Sequence, residues 1–434
     1  MKEKQLSWYR MDNTSVLYSA LQTEHYSAIY RFSAVMTEKV DPEALQRAID
    51  KVMPRFPGFR NRIKKGFFWY YFEKNDAPGP FLREDAADPC MPVRFGEDDG
   101  WLIRFFYYER RISVEIFHAL SDGGGAMVFL RCLLAQYLRE LGHEIPSGDG
   151  IPDINEKSCP EEWEDAYSRW CGRRARAQPL IKRAYENLGT PEKFYTFNVT
   201  MGFMEVSALK KRSRELGVSI TEYLAGVLMY VLMEKQRREH PRRELPIALT
   251  IPVNLRPFFP SPTLRNFITT VQPWIDPSLG DYSLEDICQQ VRHYMRFHCS
   301  KPEMQAAFTR NVKFQNNPLL RVIPCFLKDP VMSFSYRMRG IRPYSANFTN
   351  PGIFRVPAEM EPFIEHMEVI QGQATVHRPN FAAMSYGNIM EVAASGTMRE
   401  SDTERDFFRF LIRDGIPVHI ESNRRFSRGE GGEK

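Results

Sequence analysis

Phe117-His118-Ala119-Leu120-Ser121-Asp122-Gly123-Gly124-Gly125 sets an imidazole four residues ahead of a carboxylate and a run of three glycines. Neutral imidazole has a reference pKa of about 6.5, so near pH 7 it can take a proton from an attacking hydroxyl or amine. A random chain with 9 His, 19 Asp and 26 Gly in 434 residues would hold roughly 0.02 such H-x-x-x-D-G matches, so chance is a poor explanation. The alternative is structural, with His118 a partly buried strand histidine and Asp122 the N-cap of a helix.

Other constellations are weaker. Ala383-Met384-Ser385-Tyr386-Gly387 has the look of a nucleophile elbow, with Asp402 and His419 following in hydrolase order. An elbow needs a strand, a sharp turn and a helix. Here Gly387-Asn388 leads into a second β-prone run, and only 34 residues separate Ser385 from His419. No third ligand stands at metal spacing from His118 and Asp122, and His293 and His298 do not share a helix face. The glycine run lacks the Lys-Ser/Thr ending of a P-loop. No metal site is expected.

The elements around His118 are those that present a side chain at a strand end. Residues 101–108 and 111–117 predict a hairpin, with Ile112, Val114 and Ile116 on one face. Met127, Leu130, Leu134, Tyr137, Leu138 and Leu141 then recur at helical spacing. Upstream, residues 28–35 read as a strand, Asp41-Pro42-Glu43 opens a helix, and 66–72 is aromatic and β-prone. Residues 142–190, rich in Pro, Gly, Glu and Arg, read as a crossover. A second α/β rhythm follows: a strand over 194–206, a short helix over 207–216, and a helix from Ser219 with Glu222 at the capping-box position. After it come a strand over 247–253, a helix over 284–298, a strand over 331–339, a hairpin about Gly387-Asn388 and a helix over 402–412.

Composition narrows the function classes. Hydrophobic residues make up 43% and charged residues 26%, the balance of a globular protein. Length alone is a prior for about two or three domains. The net charge of +5 is mild, and the densest basic run, Arg173-Arg174-Ala175-Arg176, reads as a solvated helix face rather than a nucleic-acid site. Seven cysteines without a C-x-x-C pair read as free thiols in a reducing compartment. With no signal-peptide core at the N-terminus and no apolar run approaching about 18 residues, the expected location is the cytoplasm, with no membrane span.

H-x-x-x-D-G after a strand and before a helix resembles the motif of the chloramphenicol acetyltransferase-like acyltransferases. These include alcohol acetyltransferases, wax ester synthase/diacylglycerol acyltransferases, plant BAHD enzymes and nonribosomal-peptide condensation domains. Ile251-Pro252-Val253-Asn254-Leu255-Arg256-Pro257 matches a second element, and Asn347-Phe348-Thr349-Asn350-Pro351-Gly352 a third. The opening, from Ile29-Tyr30-Arg31-Phe32 through Phe56-Pro57-Gly58-Phe59-Arg60, has the family's rhythm. The likeness covers most of the chain and is in flavour nearest the bacterial alcohol acetyltransferase group. There are departures: Phe117 stands where many members have a first histidine, the plant-type D-F-G-W-G element is absent, and Arg265 precedes Asn266 where relatives often have glycine.

The resemblance implies an α/β (α+β) fold of two subdomains, residues 1–190 and 191–434, each a mixed sheet flanked by helices, with a tunnel between them. It implies that His118 is the general base for direct attack, without an acyl-enzyme. Asp122 would point away from substrate and pair with Arg256 to hold the turn, and Gly123 would allow close backbone approach. Thr349 and Asn350 are the candidate oxyanion or acceptor contacts. The expected reaction moves an acyl group from coenzyme A to a small or lipophilic alcohol, or to an amine, with no permanently bound cofactor. One alternative is a free-standing condensation-type enzyme taking acyl-phosphopantetheine from an acyl carrier protein. Another, of a different class, is a catalytically idle binding or scaffold protein.

Overall fold

The strand that ends at Phe117 is the middle of a five-stranded sheet. In the computed structural model, which describes residues 8–22, 26–85, 88–176, 181–187, 189–192, 196–239, 244–336, 338, 342–373 and 379–424, Arg111–Phe117 pairs antiparallel with Ile103–Tyr108 and Ile29–Met36. Leu82–Glu84 and Ile364–Gln371 form the edges. Ile112, Val114 and Ile116 alternate along the strand and are buried, as a period of two requires when one face meets the core. The helix Gly123–Glu140 lies on that face: its Phe129 meets Phe105, the cross-strand partner of Val114, with ring centroids 5.9 Å apart. Beside it runs Pro42–Val52, capped by Asp41 with proline in its first turn, burying Ala44, Leu45, Ala48, Ile49 and Val52 at helical spacing.

The second large sheet has eight strands, ordered Ile268–Val271, Ile247–Asn254, Ala346–Ile353, Asn380–Tyr386, Ile389–Gly396, Asn198–Glu205 and His419–Ser422, with Trp274–Ile275 also pairing with Ile247–Asn254. The hairpin 380–396 turns at Gly387, whose φ of +55° is a left-handed conformation that glycine adopts without strain. Ile220–Glu239 opens with Ser219 and Glu222 bonded reciprocally, and its buried residues run almost continuously from Tyr223 to Met233. Among the described residues no single helix is long and apolar enough to cross a membrane. All seven cysteines are free.

Three features differ from the sequence-based expectations. The segment expected as a strand over 331–339 forms a helix, Cys325–Tyr336, in its described part; Arg337 and Arg339 lie outside the described residues. Phe326, Leu327, Val331 and Phe334 fit a helical stripe as well as an apolar strand, a known ambiguity of short runs. Arg173–Arg176 is exposed as expected but not helical, its backbone instead joining Ala306 through the Arg176 amide at 3.1 Å. Two helices, Asn13–Leu21 and Lys301–Gln315, were not foreseen.

One strand from the second half of the chain, Ile364–Gln371, belongs to the first sheet, where it covers Ile29–Met36 along seven paired positions. One apolar cluster spans both sheets, joining Phe32 and Phe129 to Val199, Ala382 and Met384, while a second holds Leu224, Leu228, Leu249 and Phe381 within the larger sheet and its helix. Residues 1–190 expressed alone would bare the edge of Ile29–Met36, a strand buried at all eight positions. Such a fragment is expected to be insoluble, which soluble yield and circular dichroism would check; a soluble fragment with a cooperative melt would contradict it.

Candidate active site

The turn after Phe117 separates two side chains with different fates. Phe117 is fully buried with its ring 5.6 Å from Phe95, which accounts for an apolar residue there. His118 keeps a partly accessible ring, and its amide donates to Ala28 O at 2.7 Å. Tyr18, from the helix Asn13–Leu21, stacks on the imidazole at 4.5 Å, and Tyr30 meets it edge-on at 5.0 Å. The Tyr30 hydroxyl reaches Ser121 O at 3.0 Å, pinning the turn from beneath.

Asn266 fixes the tautomer. Its Nδ2 donates to His118 O at 2.8 Å, so its Oδ1 is the atom 3.0 Å from His118 Nδ1. An amide oxygen only accepts, so Nδ1 carries the hydrogen and Nε2 keeps its lone pair. Burial pushes the imidazole pKa below its ordinary value, and the backbone bond, Asp122 and Asn266 oppose that shift without reversing it. A half-buried, neutral imidazole whose Nε2 has no partner among the described residues is equipped to accept a proton.

Asp122 is the N-cap of Gly123–Glu140: its Oδ1 accepts from Gly125 N at 3.1 Å. Oδ2 accepts from Phe267 N at 2.7 Å and from Arg256 Nη1 at 2.9 Å. The rest of the Arg256 guanidinium donates to Thr263 O and Arg265 O, both at 2.8 Å from Nη2. The pair therefore clamps the 254–267 loop onto the turn that carries His118. Gly125 is where the loop comes closest: a Cβ there would lie 2.1 Å from Leu264 O, so no other residue fits without moving the backbone. At Gly123 a Cβ would meet only ordinary contacts, Pro351 at 3.6 Å and Phe32 at 3.7 Å.

A second buried ion pair ties the same loop down. Arg265 Nη2 lies 3.1 Å from Asp12 Oδ2, and Asp12 caps the helix that carries Tyr18 by accepting from Ser15 N at 2.8 Å. The large cation at the position where relatives often have glycine thus has a built partner. Asp12, Tyr18, Tyr30 and Asn266 were not singled out from the sequence. Asp12 with Ser15 three residues on is a readable cap signal, whereas nothing local marks Asn266, which acts 148 residues away from His118.

The structure gathers His118, Asp122, Gly123 and Arg256 at one place. Thr349 and Asn350 lie on Ala346–Ile353, the strand whose Pro351 stands against Gly123. Asn350 Nδ2 donates to Thr221 Oγ1 at 3.0 Å and its Oδ1 accepts from Gly352 N at 2.9 Å, so its amide is already engaged. The hydrolase-like set is not gathered: Ser385 sits inside a strand, Asp402 pairs with Lys235 at 2.8 Å, and His419 is exposed beside Glu421.

No family model and no curated protein matches the chain, but solved structures do. A trichothecene 15-O-acetyltransferase from Fusarium sporotrichioides superposes with a TM-score of 0.61 at 10% identity, covering 93% of this chain and 94% of that one. The first condensation domain of the calcium-dependent antibiotic synthetase, in complex with a substrate analogue, gives 0.61 at 13% identity over 96% and 100%. An F. graminearum protein complexed with coenzyme A and T-2 mycotoxin gives 0.58 at 11% identity over 92% and 96%. The fold is that of the chloramphenicol acetyltransferase-like and condensation-domain proteins. At these identities the likeness is one of architecture, and the chloramphenicol acetyltransferase-like fold hosts its chemistry only where the side chains allow it.

Proposed function

We propose that this chain is an acyltransferase in which His118 Nε2 removes the proton of a bound alcohol or amine as it attacks a thioester carbonyl. The observation that carries the reading is the Asn266 Oδ1–His118 Nδ1 bond, which leaves Nε2 as the basic atom of a neutral, partly accessible ring. The nucleophile's oxygen or nitrogen bonds to the carbonyl carbon and its proton passes to Nε2. The tetrahedral intermediate then expels the thiolate, which recovers that proton. No acyl group resides on the protein. Asp122 and Arg256 position the turn and take no proton. Thr349, on the strand facing Gly123, is the first candidate donor to the oxyanion, and Asn350, whose Nδ2 already donates to Thr221, can offer only its second hydrogen.

The donor proposed is acyl-coenzyme A, and the acceptor a small or lipophilic alcohol or an amine. The coenzyme A and O-acetyltransferase neighbours support that choice, whereas the condensation-domain neighbour supports carrier-bound acyl groups. Comparing acyl-coenzyme A with acyl-carrier protein as donor, across a panel of alcohols and amines, tests it. Ester or amide formation from the coenzyme A donor is expected; formation only from the carrier favours the condensation-type reading.

Two outcomes follow from the tautomer. Because burial lowers the His118 pKa, kcat/KM should be flat through pH 7 and fall only below about 6.5, as the base becomes protonated. Asn266→Ala removes the Nδ1 acceptor and should cost on the order of 10²-fold in kcat, as misplacing a reacting group does, while the acidic limb shifts. A pH profile identical to wild type would assign Asn266 a structural role only.

A further inference from the structure

Large apolar side chains are exposed together around the turn 66–69 and the helix Cys325–Tyr336. The turn between Asn61–Lys65 and Tyr70–Lys74 holds Phe67, Phe68 and Trp69 outward, with Phe67 65% exposed. Against it lies the helix Cys325–Tyr336, joined by Cys325 N donating to Phe67 O at 2.8 Å, Lys328 Nζ to Phe68 O at 2.6 Å, and the Phe67–Phe326 ring contact at 6.1 Å. Cys325 is the one described residue of that helix that is buried. Phe326, Leu327, Val331 and Phe334 are all more than half exposed and fall within an arc of about 140° at helical spacing. Just before the helix, Phe314, Leu319 and Val322 are exposed as well.

The charge beside this apolar stripe is mostly positive. Among the described residues of 304–343, Arg310, Lys313, Arg321, Lys328 and Arg342 are basic and Asp329 is the single acid. Asp329 is itself taken up by Lys65 Nζ at 2.8 Å and the Tyr70 hydroxyl at 2.7 Å. Lys313 and Arg321 are exposed on the adjoining segment.

We propose that this surface docks on an anionic phospholipid bilayer. Phenylalanine, leucine and tryptophan enter the interface to a depth of about 5–10 Å while lysine and arginine meet the headgroups. A second copy of this chain would bring the same positive charge against itself across a two-fold contact. A protein partner would pair polar groups within the patch; the outward residues of the turn and helix offer almost none, and a bilayer asks for none. The docking needs no assumption about the reaction. The reading of an acyltransferase adds a use for it: a cavity of about 650 Å³, bordered by Lys65, Tyr70 and Asp329 at the patch and by Ser19 and Ala20 of the helix whose Tyr18 stacks on His118, would receive a lipophilic acceptor from the bilayer.

The test is flotation of the full chain with vesicles of phosphatidylcholine alone and of phosphatidylcholine mixed with phosphatidylglycerol. Binding to the anionic vesicles is expected to exceed the neutral ones by about 10-fold and to fall with added salt. Phe67→Ser with Phe334→Ser should reduce it by about 10-fold or more, and Lys313→Glu with Arg321→Glu should reduce it independently, with thermal melts showing both double variants folded. No binding of wild type to either vesicle, binding that both variants retain, or a patch that the variants show to mediate self-association or capture of an acidic carrier protein instead would each overturn the proposal. Because the readout is partition and not turnover, vesicle binding without acyl transfer would remove the proposed reaction alone, and transfer without vesicle binding would remove the docking alone.

Discussion

His118→Ala is expected to lower acyl transfer by about 10²–10⁴-fold while leaving the fold intact, the contribution of one positioned general base. The fold should survive because the ring is not a core residue. The backbone bond from His118 N to Ala28 O does not depend on the side chain, and Phe117 next to it supplies the buried anchor. What the substitution removes is Nε2, the one nitrogen that the Asn266 contact leaves free. The measurement is thiol release from acyl-coenzyme A in the presence of acceptor, alongside a thermal melt. Wild-type turnover by a folded variant would remove the assignment.

The second large effect is on stability. Asp122 is 1% exposed, and Arg256 at 18% shields it from solvent while satisfying two loop carbonyls. Arg256→Ala strands a buried carboxylate and is expected to cost about 3–5 kcal/mol. Asp122→Asn loses the charge and weakens the cap on Gly123–Glu140. Since the two act through one contact, the double variant should be less destabilised than the sum of the singles, with a coupling of about 0.5–3 kcal/mol. Arg256→Lys should recover only part, because an ammonium cannot reach Asp122 Oδ2 and the Thr263 and Arg265 carbonyls together. Chemical denaturation of the four proteins measures the cycle; a coupling near zero would show that the clamp contributes nothing.

The parts of this arrangement legible in the sequence were those made locally. The strand before His118 announced itself by alternation at Ile112, Val114 and Ile116, and the helix after Asp122 by its spacing of leucines. Both are short-range patterns set by burial of one face. Arg256 could be assigned to Asp122 only through the resemblance, because a contact across 134 residues leaves no local trace. Asn266 leaves no local trace for the same reason, and although Asp12 is legible as a cap on Ser15, its pairing with Arg265, 253 residues away, is not. The helix at 325 was misread because a short apolar run satisfies both periods, and what decided it was docking on the 66–69 turn, a tertiary contact.

The most direct test of the central claim, direct transfer by a histidine base, is to incubate the wild-type chain with acyl-coenzyme A, with and without an acceptor alcohol, and follow free thiol and intact protein mass together. Direct transfer requires thiol release that depends on the acceptor, an ester product, and no acyl adduct on the protein. Acceptor-independent release, or a chain that gains the mass of the acyl group, would contradict it.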